Sequence, residues 1–524
     1  MSHALAGTGL LIAAAAGAGS ILLPPGRLRA TAMLFALALF PLLILGDQWE
    51  TRQIVDLRGD PGRLIGLGAV ALGVALALAY LFRRWPILLP LAIVAALPFR
   101  IPLHAGGDTA NLLVPLYLVI AGGVLASALR DWWATGPPPP QPAGSTRLVP
   151  CLLAAVVILF AVQVLYSVDF SKGLQDVCFF FVPFSLAYGL LRDVEWNRKL
   201  LLAVLWVVAV EAMAFVIVGS VEYLSRSLFW NDQVIRSNEF HTYFRVNSVF
   251  WDPNIYGRYL ALVAVLAMSA LLWARERRDL ALLTALLAVV WLGLVTTFSQ
   301  SSYAALLGGL AVLAALKWSV KWTLAAVGTC AVLGVLVVLL AGGVSTLSPD
   351  RLNVDTGGRA NLVSGGLHLF AQRPVYGYGS GSFPKAYREH IETEDAPVSV
   401  SHTEPITVAA ERGLIGLVLY AALIGTALWT MAAGLRPWLS RLSVPRAGGA
   451  GGGGGSPAAT GPARYIPIAR TATLAAFTAL IVHSMAYAGF FEDPIAWVLL
   501  ATGVSLAAAN QPRVVESCRD TSVA

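Results

Sequence analysis

Charge is scarce in these 524 residues. Asp, Glu, Lys and Arg make up 12% of the chain, about half the share of an ordinary soluble domain, and 57% is hydrophobic. A mean hydropathy of +0.72 leaves no room for a soluble fold. Cysteine is rare as well: Cys151, Cys178, Cys330 and Cys518 form no CxxC pair, and the first three lie in apolar runs, so neither a disulfide framework nor a zinc site is indicated. The pI near 9.3 does not point to nucleic acid, because the basic residues are scattered between hydrophobic segments and build no continuous stripe. Periodic self-similarity of the inverted-repeat transporter kind is also missing by inspection.

What the sequence has in abundance is apolar runs of roughly twenty residues, each long enough to cross about 30 Å of hydrocarbon as a helix. Hydropathy predicts helices at 4–23, 30–46, 62–82, 86–99, 110–129, 149–167, 174–191, 200–219, 255–274, 280–297, 302–316, 322–341, 405–433, 470–489 and 494–509. The expected fold class is therefore an all-α polytopic membrane protein of about 14–15 transmembrane helices. The first run lacks a basic leader and is followed closely by others, so it is expected to span rather than to be cleaved.

The connections alternate in charge. One set carries nineteen basic residues, from Arg27 and Arg29 through Arg275, Arg277 and Arg278 to Arg464 and Arg470. The short loops of the other set carry only Arg52, Arg58, Arg63, Arg100 and Lys172. The basic set is expected to face the cytoplasm, which puts the N-terminus and two long connections, 220–254 and 342–404, outside. The expected organisation is N-terminal helices over 1–170, a catalytic core over 171–434, a Gly-rich cytoplasmic linker over 435–469, two C-terminal helices over 470–509 and a cytoplasmic tail over 510–524. The Pro-rich stretch 136–142 and the Gly-rich stretch 448–455 read as linkers without chemistry.

The informative residues lie in the outer loops. Gly358-Arg359-Ala360-Asn361 opens an amphipathic stretch, Pro374-Val375-Tyr376-Gly377-Tyr378-Gly379-Ser380-Gly381 forms a turn, and His402 stands before a helix carrying Glu411-Arg412-Gly413. Upstream, Phe244 to Asn254 ends the other loop with Arg245 and Asp252-Pro253-Asn254. This order resembles the bacterial O-antigen ligase and O-antigen polymerase superfamily, polytopic glycosyltransferases with a GT-C-type architecture. Thr296 to Ser302 resembles a short family element whose usual Arg is Gln300 here. The resemblance spans about residues 170–430. It implies an undecaprenyl-diphosphate-linked glycan donor, a lipid- or glycan-bearing acceptor, inversion at the anomeric carbon, no cofactor and a multi-pass place in the bacterial inner membrane with the site on the periplasmic face.

The chemistry of the residues agrees with that implication. Guanidinium groups bind diphosphate oxygens in bidentate fashion and stay charged, so Arg245 and Arg359 are the expected diphosphate ligands, able to stand in for a metal as negative charge builds on the leaving oxygen. His402, with an ordinary pKa near 6.5, is the expected general base, with Glu404 or Glu411 orienting or replacing it. Asn254, Tyr378 and Glu211 complete the expected substrate-binding set. Each has a plainer alternative: lipid snorkelling for the arginines, helix capping for His402 and Asp252, turn punctuation for the glycines, an interfacial belt for the aromatics, and a structural pair for Glu211, an acid inside a span. A lipid-linked sugar flippase and a non-catalytic scaffold are the rival functions.

Overall fold

The computed structural model describes residues 2–105, 108–133, 144–229, 231, 234–235, 238–239, 243–342, 358–391, 400–435 and 462–509. The linker stretches, the tail and Arg236 and Arg351 of the loops lie outside the described residues. The helices are α1 (His3–Leu22), α2 (Arg27–Asp47), α3 (Arg52–Gly59), α4 (Pro61–Arg84), α5 (Leu88–Ala96), α6 (Val114–Trp132), α7 (Ser145–Val164), α8 (Phe170–Asp176) and α9 (Val182–Arg192). They continue as α10 (Arg198–Ser225), α11 (Pro253–Trp273), α12 (Arg277–Thr297), α13 (Gln300–Lys317), α14 (Val320–Gly342), α15 (Arg359–Gln372), α16 (Phe383–His390), α17 (Glu404–Ala432), α18 (Pro462–Ser484) and α19 (Pro494–Ala509).

Among the described residues, twelve helical segments are long and apolar enough to cross a membrane; α8 and α9 count as one, joined by the π-helical turn Val177–Phe181. The nine-residue α5, the more polar α13 and the sixteen-residue α19 account for the other three predicted segments. The chain is a multi-pass membrane protein, all-helical apart from a hairpin of β1 (Ile101–Ala105) and β2 (Asp108–Leu112) paired Ile101 to Leu112. That hairpin corrects the helix predicted from 110: α6 begins only at Val114, with Pro115 in its first turn, where proline's missing N–H costs nothing.

Helix starts are written in short-range chemistry. Asp60, Asp169, Asn197 and Asp252 each turn a side-chain oxygen onto an N–H of the first helical turn, at 3.0, 3.1, 2.9 and 2.6 Å. Packing then separates two ends of the bundle. At one end Arg29 is fully buried in an ion pair with Asp193 and donates to the Gly189 carbonyl, while Arg192 donates to Leu23 and Arg27 to Trp132. Lys317 reaches the Leu272 carbonyl and Arg470 the Thr430 and Met431 carbonyls, so these basic residues bond to the ends of neighbouring helices. At the other end Asp47 accepts from Ser171 and Gln175, and the described parts of both long loops fold there.

The helix predicted over 405–433 is present but broken. Gly413 has φ 62° and ψ −165°, and α17 changes direction there. The Gly-rich turn fills the break: Tyr378 N–H donates to the Ala410 carbonyl, Gly379 N–H to Glu411, and Leu414 N–H to Pro374, the last at 2.7 Å. A Cβ on Gly377 would stand 2.3 Å from the Glu411 carbonyl oxygen, and one on Gly413 would stand 2.4 Å from that of Val375. On its other side the turn is bonded to the α7–α8 junction by Val168 N–H to Tyr378 and Ser167 Oγ to Ser380. These glycines permit close backbone approach, so the turn is structural punctuation rather than a phosphate cradle.

Candidate active site

The Phe244–Asn254 segment is held from below by a carboxylate that sequence inspection passed over. Glu222, fully buried near the end of α10, accepts the Ser248 N–H at 2.7 Å, and Ser248 Oγ donates to the Phe215 carbonyl. Ser248 takes a left-handed φ of 52°, a conformation that this bonding sustains. The segment then presents Arg245. Its Nε donates to the Thr297 carbonyl at 3.0 Å and one terminal nitrogen to Asn254 Oδ1 at 3.1 Å. Asn254 Oδ1 also accepts from Ser299 Oγ, which in turn contacts Ser301 and Ser302, and Ser301 reaches His483 at 3.2 Å.

The Arg245 element and the Thr296–Ser302 element are thus one hydrogen-bonded unit. Asn254 spends its amide oxygen on positioning Arg245 instead of reaching out to a ligand. Asn254→Ala is expected to leave the protein folded but to lower its thermal unfolding temperature in detergent by a few degrees, because the unit loses about 1–3 kcal/mol of hydrogen bonding at Arg245 and Ser299; circular dichroism reads it.

His402 precedes α17 with φ 59°, outside the helix. It does not cap the helix: the cap position is Thr403, whose own side chain makes no capping bond, while Ser401 Oγ accepts the Thr403 N–H and contacts Thr407 Oγ1 at 2.8 Å. The imidazole makes no hydrogen bond to a described residue, and its ring faces Tyr487, centroid to centroid 6.3 Å. Burial, and then the charge of Arg359, hold its pKa below the usual imidazole value, so it stands neutral and able to accept a proton at pH 7. Arg359, first residue of α15, also makes no hydrogen bond to a described residue, and its charge acts on Arg245 as on His402. The three expected catalytic residues therefore share one electrostatic neighbourhood.

A cavity of about 380 Å³ opens beside them, lined by His402, Glu404 and Glu411 together with Arg100, Arg258 and Tyr487 among others. A larger groove of about 750 Å³ near His3 and Lys385 holds none of the predicted site residues. The two glutamates do not orient the imidazole. Glu404 accepts the Gly489 and Phe490 N–H groups at 2.7 and 3.0 Å, fastening α17 to the α18–α19 link. Glu411 accepts the Gly381 and Phe383 N–H groups and pairs with Arg412 at 3.0 Å, capping α16.

Two further expectations are corrected. Tyr378 is 2% exposed, packed with Leu369, Phe383 and Tyr387, its hydroxyl on Gln372, so it has no face to offer a sugar. Glu211 accepts from the Tyr259 hydroxyl at 2.7 Å, the structural pair rather than an Arg of the site, and does not line the cavity. Sequence reading missed Arg258, buried in α11 and paired with Asp493 at 2.8 Å, and it missed Tyr487 and Glu492 in the same wall. A guanidinium five residues into an apolar span, and an acidic pair just before the Pro494 helix, were the available signals.

The many-spanned helical protein thus gathers two loop arginines, a neutral histidine and a polar cavity in one region. Residues 285–421 match the O-antigen ligase family model, the family that the order of the loop motifs resembles. The matched stretch runs from α12 into α17 and includes Arg359, Tyr378, His402, Glu404 and Glu411; it is shorter than the 170–430 resemblance and leaves out Arg245, Asn254 and Glu211. No curated protein matches the chain.

Proposed function

We propose that the chain transfers a glycan from an undecaprenyl-diphosphate-linked donor to an acceptor hydroxyl at the outer face of the bacterial inner membrane. The observation that carries this reading is the neutral His402, without a hydrogen bond to any described residue, in the cavity wall under the charge of Arg359, which acts on Arg245 as well. The acceptor O–H gives its proton to the free imidazole nitrogen as its oxygen bonds to the anomeric carbon. The bond from that carbon to the diphosphate oxygen breaks on the opposite face, and its electron pair leaves with undecaprenyl diphosphate. Arg245 and Arg359 bind the diphosphate and stabilise the charge that grows on it, more in the transition state than before it. The role of these two cations makes the reaction independent of a metal. Inversion follows from the single displacement.

Joining a glycan to a lipid or other envelope acceptor and joining two lipid-linked repeats use this same chemistry. The shared family supports both, and the ligase is the reading preferred here. The test is transfer by purified protein in nanodiscs, supplied with mixed undecaprenyl-diphosphate glycans and lipid acceptors in the presence of EDTA. Product from the wild type that is lost in His402→Ala and Arg359→Ala at equal protein level supports the reading, and product size separates ligase from polymerase. Translocation of sugar lipid without any bond formation would instead establish a flippase.

A further inference from the structure

The cavity beside His402 is lined by five carboxylates, and four of them are already occupied. Asp176 pairs with Lys172 at 2.7 Å, Asp493 with Arg258, Glu411 with Arg412 and two backbone N–H groups, and Glu404 with two more. Glu492 makes no hydrogen bond or ion pair to any described residue, although it lines the same wall. Tyr487, five residues earlier on the α18–α19 link, likewise makes no hydrogen bond to a described residue, and its ring stands between the His402 and His483 rings, 6.3 and 5.6 Å from their centroids. A half-buried carboxylate and phenol on a cavity wall, neither bonded to a described residue, are free to bond whatever enters it.

We infer that Glu492 and Tyr487 bind the acceptor sugar, Glu492 accepting hydrogen bonds from a pair of neighbouring hydroxyls and Tyr487 donating to a third while its ring packs on the sugar. The inference rests on the transferase reading and assigns one side of it. Carboxylates that accept from adjacent hydroxyls are matched to neutral sugars, and a flanking aromatic ring covers their apolar C–H face. The volume of about 380 Å³ stands at the small end of ligand sites, enough to seat the terminal sugar of an acceptor but not a repeat unit with its diphosphate.

The placement is also right for chemistry. His402 lines the cavity itself, while Arg245 and Arg359 lie outside its lining and the charge of Arg359 reaches His402, so an acceptor seated in the cavity and a diphosphate held by the arginines would meet at the imidazole. Buried beside Asp176, Glu404 and Glu411, with Lys172 opposing them, Glu492 is pushed up to about 7 and holds its proton close to neutral pH; burial likewise pushes Tyr487 up and keeps it a hydrogen-bond donor. Either state of Glu492 can bond a hydroxyl, but the ionised one accepts from two.

The experiment measures transfer with donor and acceptor varied separately, for wild type, Glu492→Gln and Tyr487→Phe. The expected result is an acceptor KM raised at least tenfold in Glu492→Gln and several-fold in Tyr487→Phe, with the donor KM within twofold of wild type in both. An unchanged acceptor KM in Glu492→Gln, or a donor KM that rises in step with it, overturns the assignment while leaving the transferase intact. A wild type that makes no product with any acceptor removes the transferase and the assignment together. Glu492→Asp, which keeps the charge and shortens the arm, is expected to recover part of the acceptor affinity, a pattern that a purely structural role would not produce.

Discussion

Turnover by His402→Gln falls about 10²- to 10⁴-fold, the usual worth of a positioned base, with the protein still folded in the membrane. The imidazole neither caps α17 nor hydrogen-bonds to a described residue, so stability is not the channel of the effect. The companion variant reports on electrostatics. A base works only when unprotonated, so activity is lost as pH falls through its pKa, and in the wild type this limb lies below the ordinary imidazole value because burial, then Arg359, disfavour the cation. Arg359→Gln removes the second cause. Its residual activity is expected to fall about 10²- to 10³-fold through the lost diphosphate contact, and its acid limb to move to higher pH. A pH profile of kcat over KM for both forms checks this; an acid limb that stays in place would show that Arg359 is too remote to act on the base.

The second large effect is on the interlock at Gly413. Valine there must adopt a left-handed φ of 62° and place its Cβ 2.4 Å from the Val375 carbonyl, a backbone atom that cannot swing aside. The conformational strain and the overlap together cost about 3 kcal/mol or more. The turn is expected to leave the break, taking Glu411, α16 and the mouth of α17 with it, so both the thermal unfolding temperature in detergent and transfer should collapse. Gly425→Ala, later in the same helix with open space at its Cβ, is the control and should change neither.

The membrane helices were legible because hydropathy over some twenty residues is a one-dimensional signal, and all fifteen predicted segments correspond to helices. Breaks within them were not. Gly413 reads as an ordinary glycine in an apolar helix until the Pro374–Gly379 turn is brought beside it, and the π-helical turn at Val177–Phe181 has no local mark at all. The site divides along the same line. Arg245, Arg359 and His402 stand at loop ends in recognisable order, and polar residues there need a reason. Tyr378 looked equally suitable for stacking on a sugar, yet the turn that carries it folds inward. Glu222 left no mark as a positioning group, and Arg258 and Glu492 left only a charge at or near an apolar span, because what distinguishes all three is which neighbours they have or lack, and those come from helices far apart in the chain.

The length of α10 sets the height at which all this happens. Its 28 residues extend about 42 Å, against a hydrocarbon layer of about 30 Å, so its last turns stand clear of the acyl chains. Glu222 belongs to those last turns, and it is the post to which the Arg245 loop is tied. The protein therefore carries its own depth gauge: in the proposed reaction a diphosphate bound by Arg245 would be met at the level of the lipid headgroups, where a prenyl anchor would hold it, and the donor would not have to be lifted from the bilayer.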